Sequence, residues 1–113
     1  MVKEVTVIVK SHSSNISKVS EALRIAVAMI GMDMMPNIIF CCDGVYCLLK
    51  GGKKDYDDHL RALADLLGVH VLSDSLEEKG LNLGDLEETL GVQTISMKEA
   101  SQTISKSNIV FAL

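Results

Sequence analysis

The stretch NIIFCCDGVYCLL, Asn37 to Leu49, decides how the rest of the chain is read. Its first half, Asn37 to Cys42, is apolar without alternation, the pattern of a strand covered on both faces rather than on one. Asp43-Gly44 breaks the run, and Val45 to Leu49 reads as a short apolar helix closed by Lys50-Gly51-Gly52. A doubly covered strand that passes straight into a helix belongs to an α/β sheet.

Upstream, Val2 to Val9 (VKEVTVIV) is a β-branched run with Val5, Val7 and Val9 on one face and Thr6 and Ile8 on the other, a first strand. The polar loop Lys10 to Asn15 leads into a helix whose apolar positions, Ile16, Val19, Leu23, Ala26, Val27 and Ile30, recur at spacings of three and four. Ser13, Ser14 or Asn15 caps it, Gly31 is the expected stop, and Pro36 bars its continuation through Met32 to Met35. Those methionines, with Met29, are read equally as core and as a subunit contact.

Downstream, Tyr56, Leu60, Leu63 and Leu67 mark a helix from about Asp55 to Leu67, ended by Gly68. Val69 to Leu72 is a third strand. Ser75 and Glu78 match a capping box for a short helix that stops at Gly80, and Leu83, Leu86 and Leu90 mark a further helical piece before Gly91. Val92 to Ile95 is a fourth strand. Ser96 and Glu99 make a second capping box, for a helix that buries Met97, Ala100 and Ile104, and Asn108 to Leu113 is a fifth strand. Strands alternating with helices predict an α/β domain with a parallel sheet, and the absence of repeats or linkers predicts one domain over residues 1–113.

Composition narrows the class. Of 113 residues 48% are hydrophobic, which excludes a disordered chain. A net charge of −4 argues against a nucleic-acid or polybasic membrane-surface protein. The longest apolar run, Ile25 to Ile30, falls far short of the roughly 18 to 20 residues of a membrane span. The start, Met1 to Val5, lacks the features of a secretory signal. Cys41, Cys42 and Cys47 lie too close together, and are odd in number, for a disulfide framework. Their reading is as reduced thiols, which places the protein in the cytoplasm.

In a parallel α/β sheet the ligand or reaction site lies beyond the carboxyl ends of the strands. That limits the search to Lys10–Asn15, Cys41–Cys47, Leu72–Ser75 and Ser96–Lys98. Cys41 and Cys42, consecutive on a strand, face opposite sides and do not chelate a metal. Cys42 at the strand end and Cys47 near a helix start, where free amides stabilise a thiolate, are the candidate reactive thiols; all three cysteines are otherwise buried hydrophobes. Ser11, His12, Ser13 and Ser14, with Asp43 and Ser73 at neighbouring strand ends, are candidates for holding a small anion on hydroxyls, an imidazole and loop amides. The competing reading is a capping loop without a ligand. His12, His59 and His70 show no metal-ligand spacing, and neither a metal nor a cofactor is expected.

The Ser-rich loop Ser11 to Ser14, the segment Ile38 to Leu49, the stretch Ser73-Asp74-Ser75-Leu76-Glu77-Glu78-Lys79-Gly80-Leu81 and the terminal strand, in this order and spacing over nearly the whole chain, resemble the DsrE/DsrF/TusC group of small sulfur-relay proteins, most closely the DsrF/TusC branch. The most specific element is the aliphatic strand ending in Asp43-Gly44-Val45-Tyr46 with Leu48-Leu49. The resemblance implies a three-layer α/β/α sandwich around a five-stranded, mostly parallel sheet. It also implies a cytoplasmic subunit of a homo-oligomer (trimer or hexamer), or of a hetero-oligomer with paralogous subunits, that exchanges persulfide sulfur with donor and acceptor proteins. The group's carrier cysteine stands near the end of the third strand, where this chain has Leu72, which is no nucleophile. Two readings follow from that departure. Either Cys42 or Cys47 accepts sulfur, as a sulfurtransferase-type carrier, or the chain is a non-catalytic subunit; small-anion binding by the Ser11–Asn15 loop is a third.

Overall fold

The computed structural model describes residues 4–51 and 54–113. Val2 and Lys3 of the expected first strand, and Gly52 of the expected stop, lie outside the described residues. The chain forms β1 (Val5–Val9), α1 (Ile16–Gly31), β2 (Asn37–Phe40), a 3-10 segment (Cys42–Leu48), α2 (Asp57–Leu66), β3 (His70–Leu72) and α3 (Ser73–Glu78). Two short 3-10 turns (Leu83–Asp85 and Glu88–Leu90) lead to β4 (Gln93–Ile95), α4 (Met97–Lys106) and β5 (Ile109–Ala112). All pairings are parallel, in the order β4-β3-β2-β1-β5. The chain therefore lays down β1 to β4 in one direction and then crosses back over the sheet to place β5 beyond β1.

That order fixes the layers. Val7, Val9, Ile38, Phe40 and Val71 point to the face covered by α1 and α2, where they pack with Val19, Leu23, Ala26, Leu60 and Leu63 into the main core. Burial of each such side chain contributes about 1.5–3 kcal/mol. The alternate residues Ile39 and Leu72 point to the second face and meet Ala100 of α4, with Cys41 and Ile95 beside them. Helices thus lie on both sides of a five-stranded parallel sheet, as the sequence implied, but the second layer is thin.

α4 must run from the carboxyl end of β4 to the amino end of β5, and so crosses the sheet over β3, β2 and β1. On it Ala100 faces the sheet, and helical spacing puts Glu99 and Thr103 on one flank, Met97 and Ile104 on the other. Glu99 and Thr103 border a gap over β2 to β4. Met97 and Ile104 turn toward the β1/β5 half, where Ile8 is half-buried and Val110 and Ala112 are exposed. The expectation that α4 buries Met97 and Ile104 is corrected: they are 51% and 37% exposed. The sheet is also less covered than its apolar strands suggest, since Gln93 and Thr94 of β4 are exposed. A ten-residue helix is too narrow to roof five strands.

Several ends differ from the sequence reading. Gly31 is the last residue of α1 rather than its stop. Asp33 takes the left-handed conformation (φ 60°), with Met34 N–H donating to the Met29 carbonyl (2.9 Å) and Asp33 N–H to that of Ile30 (3.0 Å), a Schellman end built on an aspartate. The methionines beyond it are largely at the surface, Met32 62% and Met35 70% exposed. The piece containing Leu83, Leu86 and Leu90 is two 3-10 turns, not a continuous helix. Asn15 does cap α1, accepting from Lys18 N–H, and Gly68 (φ 80°) follows α2.

Candidate thiol site at the strand ends

The carboxyl ends of β1, β2 and β3 bring the expected segments together. Cys41 N–H still donates to the Val9 carbonyl (3.1 Å), as a strand residue would, but Cys42 does not continue the strand. Its φ of 54° turns the chain into the 3-10 segment. The strand alternation that would place Cys41 and Cys42 on opposite faces therefore ends one residue early. Two contacts hold this turn. Cys42 N–H donates to the Ser75 hydroxyl (2.9 Å), and Gly44 packs so tightly on β1 that a Cβ there would lie 2.0 Å from the Val9 oxygen. Only glycine fits that approach.

The three thiols consequently differ. Cys42 is exposed, Cys41 half-buried and Cys47 buried. Cys47 lies near the end of the 3-10 segment rather than at a helix start, with its thiol directed at the Ser11 carbonyl (Sγ to O 3.7 Å). Burial pushes the Cys47 thiol up to about 11. Burial, and then the neighbouring Cys42 thiol, push Cys41 up to about 12. Both are protonated at neutral pH and are poor nucleophiles in that form. Behind Cys47, the buried Tyr56 Oη lies beside the thiol without a hydrogen bond to any described residue, and its ionisation is raised by that burial.

The residue after Cys42, Asp43, is held in an ion pair. Lys79, just beyond α3, pairs with Asp43 at 2.8 Å. The hydrogen bond from Lys79, followed by its charge, holds the Asp43 carboxyl below its usual range. The same hydrogen bond holds the Lys79 ammonium above its own. The His12 ring lies 4.8 Å from that of Tyr46, and its Nδ1 accepts from Ser14 N–H at 3.0 Å. A neutral His12 therefore carries its proton on Nε2.

The loop expected to offer free amides for an anion spends four of its six internally, those of Lys10, Ser11, Ser14 and Asn15. Lys10 and Ser11 N–H donate to the Leu113 carbonyl, Ser14 N–H to His12 Nδ1, and Asn15 N–H to the His12 carbonyl. Ser13 Oγ and Ser14 Oγ both lie near His12 Nδ1, at 3.5 and 3.0 Å. Ser73 is turned away, its hydroxyl donating to the Ile95 carbonyl (3.2 Å). Leu72, the last residue of β3, is 8% exposed and packs into the second-face cluster. Tyr46 and Ser75, inside the expected segments but not among the candidate residues, join the site, as does Lys79 from outside those segments. Ser75 carried a capping pattern that pointed elsewhere, and nothing local marks Lys79 as the partner of Asp43.

Among the described residues no group of three or more His, Cys, Asp or Glu is placed to hold a metal ion. No helix there is long and apolar enough to cross a membrane.

Residues 3–113 match the model of the DsrE/DsrF-like family. In three dimensions the chain is similar to the ychN protein from E. coli, with a TM-score of 0.78 and 18% identity over 100% of both chains. It is similar also to MTH1491 from Methanobacterium thermoautotrophicum, a protein of unknown function, with a TM-score of 0.60 and 19% identity, again over 100% of both. At these identities the likeness is one of fold. No functionally curated protein matches the chain.

Proposed function

The chain belongs to the DsrE/DsrF-like family, and from that premise we propose that it is a sulfur-relay subunit in which Cys42 takes the place of the missing carrier thiol. The observation that carries this reading is the exposure of Cys42 on a turn pinned by Ser75, one strand away from Leu72, while Cys41 and Cys47 are shielded and held protonated. In the step proposed, the Cys42 thiolate attacks the outer sulfur of a donor persulfide and forms a new S–S bond. The donor's own S–S bond breaks, and the donor leaves as a thiol carrying the proton that Cys42 lost. The product is a Cys42 persulfide that an acceptor thiol attacks in turn. The exchange needs no cofactor, and it suits the reducing cytoplasm in which such thiols stay free.

Assembly is part of the proposal. Met97, Ile104 and Val110 are exposed beside the thinly roofed half of the sheet, and Met32 and Met35 form a second apolar area. Parallel sheets are ordinarily covered on both faces. The chain is therefore proposed to work as a homo-oligomer, a trimer or hexamer, or together with paralogous subunits. The reading as a non-catalytic subunit is favoured by one observation, the buried Leu72 at the carrier position.

Intact-mass spectrometry after incubation with glutathione persulfide separates the two. The sulfur-acceptor reading expects one added sulfur on the peptide containing Cys42, and none in Cys42→Ser. No addition leaves the non-catalytic subunit, and the same addition in Cys42→Ser overturns Cys42 as the acceptor in favour of Cys47 or Cys41.

A further inference from the structure

We propose that the gap beside α4 on the second face of the sheet is a binding site for a small organic amine, with its ammonium against Glu99 and its apolar body on Ile39 and Ile95. The site is separate from the thiols and does not depend on the sulfur-relay reading. It exists because α4 crosses the sheet obliquely and leaves the β2 to β4 side open, as a cavity of about 210 Å³ lined by Asn37, Ile39, His70, Ile95, Glu99 and Thr103.

Two features of that lining point to a ligand. Interior strands of a parallel sheet are ordinarily apolar on both faces, yet the first residues of β2 and β3 here are an amide and an imidazole. Asn37, His70 and Thr103, each half-exposed, make no side-chain hydrogen bond to another described residue, and Glu99, exposed at the rim, accepts from Ser96 N–H at Oε1 (3.1 Å). Convergent polar groups without intramolecular partners, set over an apolar floor, are the make-up of a small-molecule pocket.

Charge selects the ligand class. Glu99 is the one carboxylate in this lining, and no Lys or Arg accompanies it. Hydrogen bonds from Ser96, backbone first, hold the Glu99 carboxyl below its usual range, so it is ionised at neutral pH. The His70 ring adds to that lowering, and with no Lys or Arg in the lining the Glu99 charge opposes an anion entering the gap. An ammonium gains a charge-assisted hydrogen bond to the second oxygen, and its remaining N–H groups find acceptors in the Asn37 amide oxygen and the Thr103 hydroxyl.

The test uses benzylamine, benzyl alcohol and benzoate as probes on the full chain, read by amide chemical shifts. Benzylamine is expected to shift residues of β2, β3 and α4 around the gap, and benzoate to leave them unmoved. Glu99→Gln keeps the capping box, because glutamine also serves at that position, and is expected to weaken benzylamine about threefold to fivefold, the scale of an ion pair at an exposed carboxylate. Thr103→Leu, which fills the gap, is expected to abolish binding while Cys42→Ser leaves it intact. The proposal is overturned if benzylamine shifts nothing at the gap, if benzoate or benzyl alcohol binds as well, or if Glu99→Gln with an unchanged melting temperature binds equally.

Discussion

Cys42 and Cys47 are close in sequence and chemically alike on paper, and their surroundings separate them. The buried Cys47 thiol gives a pH dependence whose sign follows from its shift. Its folded value, about 11, lies above the ordinary 9.0. Folding therefore favours the protonated form, and the associated stability is complete below pH 9 and is lost as the pH rises through 11. Cys41, raised to about 12, acts in the same direction. Denaturant melts at about pH 8 and at about pH 10.5 should show a loss in wild type on the order of 2 kcal/mol larger than in Cys47→Ala; equal losses in the two proteins would remove Cys47 as the cause. The sequence supplied both thiols as candidates. It could not rank them, because their exposure depends on where the left-handed turn at Cys42 directs the segment that follows.

Two serines at the element scale carry the same pattern, Ser75 with Glu78 and Ser96 with Glu99, and only one behaves as the pattern says. At α4 the box closes in both directions, Glu99 N–H to Ser96 Oγ and Ser96 N–H to Glu99 Oε1, each 3.1 Å. At α3 the helix has already begun at Ser73, immediately after β3, so Ser75 lies inside it, 3% exposed, and accepts from Cys42 N–H instead. The two alanine variants should then differ in kind. Ser96→Ala loses a solvent-exposed cap, about 1 kcal/mol, and leaves alkylation of Cys42 unchanged. Ser75→Ala strands a part-buried amide at about 1–3 kcal/mol and alters the alkylation rate of Cys42. Equal rates in both variants would show that the Ser75 contact does not hold the thiol. The helices themselves were legible from their apolar spacing. The cap at Ser75 was not, because a four-residue pattern does not say where the preceding strand stops.

At the scale of the whole molecule, the strand order decides what remains uncovered. Placing β5 beyond β1 sends α4 across the sheet, and one ten-residue helix covers Thr6 but leaves Val110 and Ala112 of β5 exposed on the second face. If copies of the chain cover those residues, light scattering at micromolar concentration reads an oligomer, and Ile104→Glu or Val110→Glu reduces it to smaller species without unfolding. A monomeric wild type would sink the assembly reading. Both variants alter exposed positions, so a loss of stability beyond about 0.5 kcal/mol is not expected from the monomer itself.

The sequence by itself determined the alternation of strands and helices, the parallel sheet and its five strands, because apolar periodicity, β-branching and glycine stops act over a few residues. It also directed the search for a site to the strand ends. Tertiary structure decided the rest: which thiol meets solvent, which serine caps and which one holds the Cys42 turn, that Lys79 reaches Asp43, and that α4 roofs only part of the sheet. Each of these depends on residues distant in sequence meeting across a strand order that periodicity does not encode, and burial, the largest influence on a thiol's ionisation here, is a property of that packing.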